Sequence, residues 1–296
     1  MKILLLGKNG QVGHELQRTL LPLGELIALG RQEANLEDSE KIKKTLAVHA
    51  PHVIVNAAAY TAVDKAETDE AAAINVNAVA VKLLADYALA NDALLVHYST
   101  DYVFDGEKSG SYTESDVTNP QNVYGRSKCA GEIAIATSGC KALIFRTSWV
   151  FSSHGVNFIK TVMRLAQQRD GFSMVADQIG APTSAELIAD VTALAIAAYN
   201  NGTMSTGIYH LTATGDTSWH GLATYVLERL QSAGMALKTR AEQILPIATD
   251  EYPLPAKRPK NSRLNTDKLS LALNLQIPHW NKYVDRTIEQ LTKTES

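Results

Sequence analysis

The chain alternates between two hydrophobic periods, and this limits its possible folds more than any other feature. Lys2-Ile3-Leu4-Leu5-Leu6 is a short apolar run closed by Gly7, the pattern of a strand buried on both faces of a parallel sheet. Residues 11–21 then place Val12, Leu16 and Leu20 at helical spacing, and Pro22 and Gly24 end the stretch. The cycle repeats. Apolar runs at 26–29, 53–55, 94–98 and 143–147 are separated by helical stretches at 39–50, 68–90 and 122–136. This spacing predicts an α/β fold built on a doubly wound parallel sheet. Ligands of such sheets bind beyond the carboxyl ends of the strands, where the strand order switches.

After residue 150 the alternation fades. Helical patterns remain at 157–168, 184–199 and 219–233, and Pro246, Pro253, Pro255 and Pro259 mark a loop crossing the surface. We therefore expect an NAD(P)-binding domain at 1–150. A smaller, mainly substrate-binding lobe is expected at 151–296, with the chain able to cross back between the two.

Composition narrows the function. Hydrophobic residues are 45% and charged residues 20% of 296, the balance of a folded globular chain. Lys plus Arg is 28 against 31 for Asp plus Glu, a net charge of −3, which speaks against a nucleic-acid partner that needs many phosphate contacts. Cys129 and Cys140 are too few for a disulfide framework or a zinc site, so a reducing, cytoplasmic setting is expected. The run at 3–6 is too short for a signal-peptide core. The apolar stretch at 187–199 is too short to span a bilayer and carries Asp190, so no membrane partner is expected.

Gly7-Lys8-Asn9-Gly10-Gln11-Val12-Gly13 joins the first strand to the first helix. Glycines allow positive φ and a close approach of backbone to phosphate, and the helix start offers unpaired N–H groups. The spacing is G-x-x-G-x-x-G, not the G-x-G-x-x-G of the usual dinucleotide fingerprint. Its place directly after a buried strand still predicts a Rossmann-like dinucleotide site, against the plainer reading of a tight turn. The second run ends in Gly30-Arg31, where NAD-binding chains carry an acid. A guanidinium can grip a 2′-phosphate, so NADPH is the expected cofactor, with NADH usable if Arg31 points away.

Tyr124 and Lys128 lie at i and i+4, on one face of a helix. A nearby ammonium lowers the pKa of a phenol, which can then exchange a proton with a carbonyl oxygen near neutral pH. The fourth run ends in Ser99-Thr100-Asp101, which puts a hydroxyl beside that phenol. The third ends in Asn56-Ala57-Ala58-Ala59, small residues along which a cofactor can lie.

Taken with these, Ala59-Tyr60-Thr61-Ala62-Val63-Asp64-Lys65, Tyr102-Val103-Phe104-Asp105-Gly106, Arg146-Thr147-Ser148-Trp149, Asp177-Gln178-Ile179-Gly180-Ala181-Pro182-Thr183 and Arg258-Pro259 leading to Ser262-Arg263-Leu264 give the chain its resemblance. It is similar to the extended short-chain dehydrogenase/reductases, in particular to the dTDP-4-dehydrorhamnose reductase family. The resemblance implies NAD(P)H-dependent reduction of the 4-keto group of dTDP-4-dehydro-β-L-rhamnose. That is the last step of dTDP-L-rhamnose formation, a route that feeds lipopolysaccharide O-antigen. It implies Tyr124 as proton donor, Lys128 as its tuner and a ribose ligand, and Thr100 as partner of the keto oxygen. Asp101 and Trp149 would touch the sugar. Gly7, Gly10, Gln11, Val12 and Gly13 would cradle the pyrophosphate, Asn35 and Leu36 would flank the adenine, and Tyr98, Ala59, Tyr60 and Thr61 would lie along the cofactor. A homodimer is also implied.

Weaker signals remain. Arg258, Lys260 and Arg263 lie in the Pro-rich loop, where positive charge suits a diphosphate. Glu15, Glu186 and Asp190 are carboxylates of the kind that hold Mg²⁺ at a dimer contact in similar reductases; exposed helix acids are the plainer reading. His97, within an apolar run, reads as a core residue. Two rivals stand beside the reductase. A dehydratase or epimerase of the same fold is one, but the second acid a dehydratase carries after its threonine is replaced here by Tyr102. A non-catalytic NADP-binding regulatory subunit is the other.

Overall fold

The structure is a computed structural model describing residues 1–293. Six strands form one parallel sheet: β1 (Lys2–Leu6), β2 (Glu25–Leu29), β3 (Val53–Asn56), β4 (Leu94–Thr100), β5 (Ala142–Thr147) and β6 (Gly207–His210). Their order is β6-β5-β4-β3-β1-β2. The order reverses between β1 and β3, which opens a crevice above the carboxyl ends of those strands. Alternation along the strands fills two cores. Leu5, Val55, Val96 and Phe145 face one layer; Leu4, Ile54, Leu95 and Ile144 face the other. The fold expected from the two periods is the one observed.

Helices cover both faces. Leu16 and Leu20, of and just after helix α1 (Gln11–Thr19), join the first core. The second is closed by α2 (Ser39–His49), α3 (Glu70–Ala90) and α4 (Val123–Ser138), through Leu46, Leu84 and Ile135. Length and composition alone would let α3 cross a membrane, yet Ala73, Val81, Leu84 and Ala88 are buried inside the protein. A π-turn at Asn75–Val79 interrupts α3. It turns the Asn77 amide inward to bond both backbone groups of Tyr60 and the Ser127 hydroxyl, a use typical of such bulges.

The later half adds α5 (Phe158–Gln168), α6 (Ala185–Asn200), α7 (Trp219–Ser232) and α8 (Trp280–Lys293). Two parts of it return to the sheet: β6 pairs with β5, and α6 packs on α1. The Pro-rich stretch is not all loop. Ile244–Ile247 pairs with Phe172–Val175 as a two-stranded edge, which tolerates Pro246. Many of residues 248–260 then line a second cavity.

Close backbone approaches fix α4. A Cβ on Gly131 would lie 2.2 Å from the Asn77 carbonyl oxygen of α3. Gly131→Ala should therefore lower unfolding free energy by about 1–3 kcal/mol, the usual cost of overpacking. Urea denaturation checks this; an unchanged midpoint would show that the two helices can separate without penalty.

Candidate active site

A cavity of about 750 Å³ opens above the strand ends, within the size range of ligand pockets. Its floor is the glycine turn. Gly7 has φ +88°, and a Cβ there would meet the Ala58 nitrogen at 2.7 Å. A Cβ on Gly13 would strike the Gly7 carbonyl oxygen at 2.0 Å. Gly10 caps α1 with no side-chain hydrogen bond, so the first N–H groups of the helix keep no side-chain partner. The turn is thus shaped for something that touches backbone, as a pyrophosphate does. Gly10, Gln11 and Val12 line the cavity, while Gly13 packs behind it. The Gln11 side chain turns away and accepts from Ser152 and Asn157.

Arg31, Asn35 and Leu36 line one end, and Ala59, Tyr60, Thr61 and Tyr98 one flank. Arg31 is exposed, and its guanidinium donates to Glu37 at 2.6 Å. The sequence reading passed over Glu37, which supplies an acid seven residues after the strand-end position that lacks one.

At the other end Thr100, Asp101, Tyr124, Lys128 and Trp149 converge on the same cavity. Asn122 caps α4 by accepting the Gly125 N–H at 2.7 Å, which places Tyr124 in the first helical turn. Burial pushes the Tyr124 phenol up to about 12, and its contact with the Thr100 hydroxyl offsets part of this. Lys128 is buried, and its Nζ donates to the Tyr98 carbonyl at 2.6 Å and lies 3.3 Å from His97 Nε2. Burial lowers its pKa to about 8, against the pull of Glu132. Glu132 is itself held by Arg146 at 2.9 and 2.6 Å, a buried bidentate pair.

The strand residue His97 is buried as expected, but it contacts Lys128 as well as the core. Trp219 was also passed over. It stacks on Trp149 with centroids 3.6 Å apart, and Gly180 makes room for the pair. Trp149 holds a positive φ of 49°, which no pattern in the sequence reveals.

A second cavity adjoins the first and shares Tyr102 and Trp219 with it. Arg258 lines it and donates to Asp64 at 2.7 Å. Arg263 lines neither cavity. Its guanidinium bonds Asn261, the Ser109 carbonyl and Asp216, so the expectation of a diphosphate grip is corrected there. Lys260 pairs with Asp177.

The carboxylates expected to hold Mg²⁺ do not fit that ion as they stand. Glu186 accepts from Arg286 at 2.6 Å and from Gln290, and Asp190 accepts from Arg18 at 3.0 Å. Guanidinium groups therefore neutralise the acids that the metal would need. Glu15 is raised by burial and by Glu186. Among the described residues no group of three or more His, Cys, Asp or Glu could hold a metal ion.

With this geometry established, comparison with known proteins settles the family. A family model described as the RmlD substrate binding domain matches residues 1–293. The chain belongs to this family. A dTDP-4-dehydrorhamnose reductase of Burkholderia thailandensis is 46% identical to the RmlD-type chain over 98% of this chain and 99% of its own. The crystal structure of a dTDP-4-dehydrorhamnose reductase from Clostridium acetobutylicum superposes with a TM-score of 0.89, at 35% identity over 98% and 99% of the two chains. One from Bacillus anthracis, solved in complex with NADP, gives 0.86 at 33% identity, again over 98% and 99%.

Asp101 supplies a test of the site's electrostatics. Burial raises it to about 6, and its Oδ2 is buried without a partner. A carboxyl raised on folding costs stability once pH exceeds its unfolded value near 4, and the cost is complete above about 6. Asp101→Asn should thus be more stable than the parent at pH 7.5, by about 3 kcal/mol at most, with no advantage at pH 3.5. Denaturation at both pH values checks this; equal stability at pH 7.5 would mean Asp101 is not strained by burial.

Proposed function

We propose that the chain is an NAD(P)H-dependent oxidoreductase that reduces the 4-keto group of dTDP-4-dehydro-β-L-rhamnose, giving dTDP-L-rhamnose. The observation that carries this reading is one cavity in which a glycine turn, the Thr100 hydroxyl and the Tyr124–Lys128 pair meet. The reductase names of relatives matched along nearly their whole length support it. When bound, a reduced nicotinamide supplies hydride. The chain's own residues do the rest. Gly10, Gln11 and Val12 present backbone N–H groups to the pyrophosphate. Thr100 and Tyr124 bracket the keto oxygen, and Tyr124 delivers the proton that the new alkoxide requires. Lys128 is the cation that eases loss of that proton and reaches the ribose. Asp101 and Trp149 hold the sugar, and Arg258 is within the adjoining cavity for the nucleotide diphosphate.

The cofactor reading is NADPH with NADH also accepted. Arg31 offers a guanidinium for a 2′-phosphate, and Glu37 beside it can accept from a 2′-hydroxyl. We further propose residues 1–150 as the cofactor unit and 151–296 as mainly the substrate lobe. A cytoplasmic homodimer is supported by the family resemblance. No step is assigned to Mg²⁺, because Arg18 and Arg286 already neutralise Asp190 and Glu186.

The direct test mixes the protein with NADPH and the 4-keto sugar nucleotide and follows reduced-cofactor absorbance. Many turnovers with stoichiometric oxidation support the reductase; product formed without net oxidation indicates an epimerase. Tyr124→Phe should lower kcat by about 10² to 10⁴ while NADP⁺ binding, read by calorimetry, stays nearly unchanged. Full turnover in that variant would remove Tyr124 from the chemistry. Arg31→Asp should shift the ratio of NADPH to NADH affinities toward NADH, and an unchanged ratio would refute the role given to Arg31.

A further inference from the structure

Lys128, which lines the cavity, ends in a closed set of polar groups whose donors and acceptors can be counted. Asn56, His97 and Lys128 are 1%, 1% and 2% exposed. Asn56 Oδ1 accepts the Ala58 backbone N–H at 3.2 Å. The atom of Asn56 that faces His97 Nδ1, also at 3.2 Å, is therefore Nδ2. An amide nitrogen donates and does not accept, so His97 Nδ1 has to be the bare nitrogen. A neutral imidazole then carries its proton on Nε2. That nitrogen lies 3.3 Å from Lys128 Nζ.

An ammonium there would put N–H against N–H, since it has three donors and no lone pair. A neutral amine has a lone pair and accepts the Nε2 proton, while one of its own N–H groups still reaches the Tyr98 carbonyl at 2.6 Å. The surrounding charges do not reverse this. From α4, Glu132 favours the ammonium, but Arg146 of β5 holds both its oxygens. From α3, Asn77 bonds Ser127 and Tyr60 rather than the lysine. The imidazole itself is kept from protonating chiefly by burial. Tyr124 and Asp101 lie on the cavity side and act on each other.

We propose that Asn56 and His97 are positioning residues for Lys128, with the imidazole tautomer and the lysine charge locked together. While Nζ rests on His97 Nε2–H, that contact favours the amine over the ammonium. When it turns into the cavity toward an acceptor, that opposition ends and Nζ takes up a proton from solvent to become the ammonium. The lysine thereby gains its charge where the reaction uses it. The inference rests on the reading of Lys128 as the cation beside Tyr124.

The test is nitrogen-15 NMR of the histidines in the full-length protein without added cofactor, with His97 identified by the signal lost in His97→Gln. The expected spectrum between pH 7 and 8 shows a bare Nδ1 and a protonated Nε2. Asn56→Asp keeps an oxygen for the Ala58 N–H and presents the other to Nδ1. The tautomer should then invert, and the Lys128 pKa, followed by side-chain NMR, should rise by about 1 unit or more. A protonated Nδ1 or an imidazolium in the parent protein would overturn the proposal, as would a folded Asn56→Asp with an unchanged tautomer. If Asn56→Asp does not fold, the parent spectrum decides alone. Absence of NADPH oxidation would defeat the functional reading and leave the tautomer result standing; a protonated Nδ1 in an active reductase would defeat only this inference.

Discussion

The cleft depends on β4 being clamped between two parallel neighbours. β3 pairs with it from Val53↔Leu94 to Asn56↔His97, and β5 from Leu95↔Ala142 to Thr100↔Thr147. Parallel pairing fixes the register, and a slip of one residue would exchange the faces of every side chain. In the observed register His97 turns to α4 and Thr100 reaches the cavity. Asp101 follows at the strand end. The backbone of β4 also supplies the Tyr98 carbonyl on which Lys128 rests. One strand thus carries the hydroxyl, the lysine's anchor and the imidazole behind it, and the acid follows directly.

Burial then gives these groups their chemistry. Withdrawing Tyr124 from water raises its pKa to about 12, which keeps the phenol protonated at neutral pH, as the proposed proton donor has to be. The same withdrawal lowers Lys128 to about 8 and raises Asp101 to about 6. Each shift follows from desolvation of the charged form, and none needs a single strong charge nearby. The buried pair of Arg146 and Glu132, between β5 and α4, offsets the carboxylate that favours the charged form of Lys128. Lys128 and Asp101 thus move toward neutral pH while Tyr124 moves away from it, and groups perturbed in this way cluster at functional sites.

Much of this was legible in the residues. The two hydrophobic periods specify the five strands of the first half because strand and helix bury different spacings. Gly7 and Tyr124 with Lys128 announce themselves because backbone approach and an i,i+4 pair are local. What escaped is non-local. β6 is a four-residue strand from the later half, and only its partner β5 makes it part of the sheet. Trp219 stacks on Trp149 across 70 positions of chain. Arg263 carries the charge a diphosphate would want, but its neighbours Asn261, Ser109 and Asp216 already use it. Glu186 and Asp190 show the spacing of a carboxylate pair and say nothing of the arginines that reach them from α8 and α1. His97 looks like any residue of a buried strand until α4 is laid against it.

The central claim is that the cavity brings a ketone, the Tyr124 phenol and a reduced nicotinamide to one point. The measurement that tests it most directly is isotope transfer with NADPH carrying deuterium at the reactive nicotinamide carbon. The account predicts dTDP-L-rhamnose with one deuterium on sugar carbon 4, formed as an equal amount of NADP⁺ accumulates. Product without deuterium at that carbon, or labelled cofactor left unconsumed while the sugar is converted, would contradict it.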